Sequence, residues 1–119
     1  MKRRRCIFHD DIFITSWAVQ RGGTKQEAVD WYCKLVKAEP FKVEAKDSYA
    51  CFYQAPFRKN GLLWFDKNQG AGGICHEVMH AVIHFMDNLD IKISQDTEEL
   101  AAYYAEWLTK TIVKRLWTR

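Results

Sequence analysis

Apolar residues recur along this chain in two rhythms, and the rhythm changes where glycine and proline stand. Ala28, Trp31, Tyr32 and Leu35 fall three and four apart, the spacing of one face of a helix. Gly22-Gly23 interrupts the chain just before them, and Pro40 closes the segment behind. Thr24 and Glu27 match a capping box, in which a hydroxyl and a carboxylate each satisfy a backbone N–H of the first turn. These signals predict a helix from about Lys25 to Lys37. Helical rhythm returns from about Gly72 to Asn88, with Val78, Val82, Phe85 and Met86 as its core face. It returns again after Ser94-Gln95-Asp96-Thr97, where Asp96 or Thr97 is the expected N-cap of a last helix running to about Trp117.

Between the helical stretches the pattern is shorter, β-branched and aromatic. Ile12-Phe13-Ile14-Thr15 reads as a strand, as do Tyr49–Ala55 and Gly61–Asp66. Pro56 and Asn60-Gly61 punctuate the gap between the last two, which predicts an antiparallel hairpin. The expected fold is α+β, one domain spanning residues 1–119. A small antiparallel sheet carries an N-terminal helix and two later helices on one of its faces.

Composition changes this picture little. At 119 residues with 48% apolar positions, the chain can bury a core without disulfide or metal staples. A net charge of +3 gives no argument for nucleic acid, and the run Lys2-Arg3-Arg4-Arg5 reads as a solvated basic terminus. The chain turns acidic at Asp10-Asp11 before any apolar run can form, so no secretory signal is expected. No stretch has the ~18 apolar residues of a membrane span. Cys6, Cys33, Cys51 and Cys75 form no Cys-x-x-Cys pair and read as reduced thiols of a cytoplasmic protein.

The candidate chemistry lies in His76-Glu77-Val78-Met79-His80. Residues four apart on a helix sit one turn up and ~40° around, so both imidazoles face one point and can fill two corners of a zinc tetrahedron. Glu77 is turned ~100° from His76, off the metal but beside it, where a general base for an attacking water belongs. Cys75 is turned away by the same step. Random ordering of this composition would give the pattern with a probability of roughly 0.8%. The bland alternative is a helix with two surface histidines.

Catalytic zinc normally takes three protein ligands. Asp87 and Asp90 stand at or past the end of the helix that carries the histidines, too far along it to reach back. Glu99 opens the last helix, just before the small pair Ala101-Ala102, and is the preferred third ligand. Glu98 is its nearest competitor and Glu106 the outer alternative, since Glu99, Tyr103 and Glu106 share a face. Alternatively, Glu98 and Glu99 only favour the positive end of the helix dipole. His84 lies ~12 Å along the axis from His76, so it cannot join both histidines on one ion. His84 and Tyr103 are candidate donors to a developing oxyanion; each also reads as an ordinary helix residue.

With His76, Glu77, His80 and Glu99 in this order, the chain resembles the gluzincin branch of the zincin metallopeptidases. The similarity is to minimal zincin-like proteins among small bacterial and bacteriophage proteins, and it covers about residues 61–108. It implies a zinc cofactor, peptide-bond hydrolysis with Glu77 as base, and a cytoplasmic setting in a bacterial cell or phage-infected host. It also implies that Gly61–Asp66 is an edge strand on which a peptide substrate aligns by strand addition. The chain departs from larger zincins in lacking a second lobe, and Met86 stands where a third-histidine extension would end. The alternative expectation is a non-catalytic protein on the same scaffold, of phage or mobile-element origin, that grips a host protein. Neither membrane nor nucleic acid is an expected partner.

Overall fold

In the computed structural model, residues 3–10, 15–43, 50–53 and 60–118 are described. Four strands form one sheet: β1 (Arg4–Asp10), β2 (Thr15–Arg21), β3 (Ala50–Tyr53) and β4 (Asn60–Phe65), in spatial order β1-β2-β4-β3. β1 and β2 pair antiparallel, as do β3 and β4, but β2 and β4 run parallel. A parallel pair needs a crossover, and α1 (Lys25–Val36) supplies it. The α+β class stands, whereas the sheet is mixed rather than antiparallel. The hairpin of β3 and β4 forms as expected, although Asn60 and Gly61 belong to β4 and not to its turn. The expected strand at Ile12–Thr15 falls partly outside the described residues; Thr15 opens β2. Gly61–Asp66 is not an edge: β4 is flanked on both sides, and its run Leu62-Leu63-Trp64-Phe65 is buried throughout. A strand buried on both faces is continuously apolar for that reason.

The two sheet faces carry different partners. Ala18, Leu62 and Trp64 pack on Ala28, Val29, Tyr32 and Cys33 of α1. Their alternates Trp17, Val19, Leu63 and Phe65 pack on the opposite face against α2 (Ala71–Asn88) and α3 (Glu98–Leu116). The helices therefore lie on both faces, because β2 and β4 offer apolar side chains to each. α1 starts at the expected cap, where the Glu27 N–H donates to the Thr24 hydroxyl at 3.1 Å. Gly22 and Gly23, at φ 82° and 66°, make the left-handed turn that reverses the chain into it.

The basic N-terminal run is built into the fold. Arg4 donates to the carbonyls of Arg115, Leu116 and Thr118, and Arg21 to those of Leu116 and Lys67. The last turn of α3 has no helical donors for these carbonyls, and two guanidinium groups supply them. Arg5 bonds Gln20 at 2.7 Å and lies over the Trp31 ring, while Arg3 pairs with Glu27 at 2.9 Å. The reading of a free solvated terminus gives way, for residues 3–5, to one of helix caps and ion pairs.

Candidate metal centre

α2 buries Ile74, Glu77, Val78, Ala81, Val82, Phe85 and Met86, a regular three-and-four repeat. His76 and His80 stand on its opposite, exposed side. Their Nε2 atoms meet at 3.2 Å, with ring centroids 4.8 Å apart. Two nitrogens bound tetrahedrally to one zinc at ~2.0–2.1 Å lie about 3.4 Å apart, so the pair fits that span. Without a metal the contact requires one ring to donate its Nε2–H to the lone pair of the other.

Glu77 is the polar member of the buried repeat, 9% exposed. Burial pushes its carboxyl above the ordinary range, and the nearby His76, His80 and Lys25 pull it partly back.

The third ligand does not assemble. Among the described residues no group of three or more His, Cys, Asp or Glu side chains can hold a metal ion. The reason lies in how α2 and α3 meet. The Phe85 and Tyr104 rings stack at 5.2 Å, and the Trp117 indole donates to the Gln69 carbonyl at 3.2 Å. These contacts make the helices antiparallel and set their register. Counted from the Phe85–Tyr104 stack at 1.5 Å per residue, Glu99 stands about 15 Å along the axis from His80 and about 21 Å from His76, with Glu98 beyond it. Glu106 stands within about one turn of His80 along the axis, and its carboxylate pairs with Lys110 at 2.7 Å. The small residues on α3 do serve close approach: Ala101 is buried in the shared core and Ala105 packs against it.

His84 is exposed one turn beyond His80, and Tyr103, 67% exposed, stands about level with it. Among the described residues His84 forms no metal-holding group with the histidine pair. The neighbouring Tyr104 is the engaged phenol: it accepts from the Trp17 indole at 2.9 Å and donates to Asp10 at 2.8 Å, all buried. Burial, foremost, holds its hydroxyl protonated far above the usual phenol range. Sequence reasoning passed over this chain of groups because its members are 94 residues apart at most and nothing local marks them. Cys6, Cys33 and Cys75 are free thiols, and Cys75 stays outside the site. Among the described residues no helix is long and apolar enough to cross a membrane.

No family model matches the chain, and neither a curated protein nor a solved structure does.

Proposed function

We propose that this chain is a zinc-dependent peptidase. The observation that carries the reading is the convergence of the His76 and His80 Nε2 atoms at 3.2 Å beside the shielded carboxyl of Glu77. When bound there, zinc supplies Lewis acidity to a carbonyl and to water. Glu77 takes the proton of the attacking water and returns it to the leaving amine; its raised affinity for a proton suits both transfers. The described residues assemble no third donor; a carboxylate of α3 would have to swing in, and Glu106, within about one turn of His80 along the axis, would reach it sooner than Glu99 or Glu98. With β4 interior, an extended peptide has β3 as its edge for strand addition, the terminal strand on the side that α2 covers.

Elemental analysis of purified protein tests this reading, with about one zinc per chain expected. That zinc should be lost in His80→Ala and weakened in Glu106→Ala. Glu77→Gln should keep the zinc and lose peptide cleavage. Metal-free protein that stays folded and refuses added zinc would overturn the proposal. A second reading, a host-protein binder, is favoured by the exposed Met79 and Ile83 that flank the histidines on α2. It predicts that Glu77→Gln leaves function intact.

A further inference from the structure

On the other face of the sheet, where α1 ends, lies a cavity of about 470 Å³, within the size range of small-molecule sites. It lies beyond the end of α1, where Lys37 turns the chain aside, against residues of β1, β2 and β4. Ile7, Ala18, Leu35 and Val36 give it apolar walls. Ile7 and Leu35 are 43% and 45% exposed, an apolar surface that the fold itself leaves in water.

The polar groups at this cavity are one-sided in charge. Among the described residues no aspartate or glutamate lines it, whereas Lys37 does and forms no ion pair there. The Tyr32 hydroxyl donates to Oδ1 of Asn60, which leaves the Asn60 Nδ2 group as a donor. His9 and Ser16, directly paired across β1 and β2, hold each other through Nδ1 and Oγ at 2.7 Å on the same rim. Lys37 also occupies a left-handed backbone position, φ 56° and ψ 43°, where glycine is the favoured residue. A long cationic side chain thus stands at a backbone position that favours glycine.

We propose that this cavity binds a small monocarboxylate with an apolar tail. The carboxylate is held by Lys37 and the Asn60 amide, and the tail lies on Ile7, Ala18, Leu35 and Val36. Charge complementarity selects the head group and the exposed apolar wall selects the tail. The site is independent of the histidine pair, which stands on a helix against the opposite face.

The test is titration of the isotope-labelled full chain with phenylbutyrate, followed by backbone amide shifts, with phenylbutyramide as the neutral counterpart. Saturable shifts are expected at Ile7, Ala18, Lys37 and Gly61, with the amide binding about three- to fivefold more weakly. Lys37→Gly should weaken phenylbutyrate by a similar factor while its melting temperature stays at or above wild type. Lys37→Gln provides the same loss of charge without the change in backbone preference. The proposal fails if the shifts do not saturate or map elsewhere. It fails equally if the neutral amide binds as tightly, or if both Lys37 variants keep wild-type affinity.

Discussion

Two residues show how much of this molecule turns on single polar groups at the edge of the core. Glu77 is nearly buried and its carboxyl is raised above the ordinary range by desolvation. A group with a folded pKa above its unfolded value favours folding only below the unfolded value, and that advantage is lost as pH rises through the folded value. The ionised Glu77 is thus a cost to the metal-free fold at neutral pH. Glu77→Gln should melt higher than wild type at pH ~7 in the presence of chelator, with the difference closing toward pH ~4. Thermal melts across that range check it, and a lower melting temperature at neutral pH would contradict the burial argument. Tyr104 makes the opposite case, because its hydroxyl is satisfied on both sides by Trp17 and Asp10. Tyr104→Phe keeps the stack on Phe85 but removes the buried hydroxyl that accepts from the Trp17 indole and donates to Asp10. It should cost about 1–3 kcal/mol in urea unfolding.

At the scale of elements, the helices were legible and the sheet only in part. α1, α2 and α3 carry long apolar repeats, and the Thr24–Glu27 cap forms as its spacing demands. β1 was missed because its inward positions are Phe8 and the buried Asp10, while arginines crowd its start, so the alternation is hidden under charge. The parallel pairing of β2 and β4 was missed because register and strand order depend on contacts that no local pattern encodes. The arginines themselves tie the sheet to the end of α3. Arg4 and Arg21 both donate to the Leu116 carbonyl, at 3.0 and 2.9 Å, and Arg21 also lies over the Trp117 ring. Arg4→Ala and Arg21→Ala should each cost about 1 kcal/mol. Sharing one acceptor, they should be non-additive, and a double-mutant cycle in denaturant should return a coupling energy of about 0.5 kcal/mol or more.

For the whole molecule, the candidate site divides along the line between local and long-range information. The approach of His76 and His80 follows from helix geometry alone, and their Nε2 atoms lie 3.2 Å apart. The third ligand depends on the axial register of α2 against α3, which Phe85, Tyr104, Gln69 and Trp117 set from opposite ends of the pair. No feature near Glu99 carries that information. The same architecture decides what metal removal does. Both faces of the sheet have complete apolar clusters, with Val19, Leu62, Leu63, Phe65, Leu108 and Ile112 fully buried, and none of these contacts runs through the histidines. Chelated protein should therefore remain folded and unfold cooperatively, unlike a small domain whose only organising centre is its metal. Added zinc should act by mass action on the native state alone. At a free concentration of about one hundred times Kd it should stabilise the fold by about 2.7 kcal/mol. Scanning calorimetry with and without chelator measures this increment. His80→Ala should abolish the increment yet leave the chelated melting temperature close to wild type, because His80 stands on the exposed side of α2. Collapse of the wild-type fold on chelation would show instead that the metal, rather than the two core layers, organises the chain.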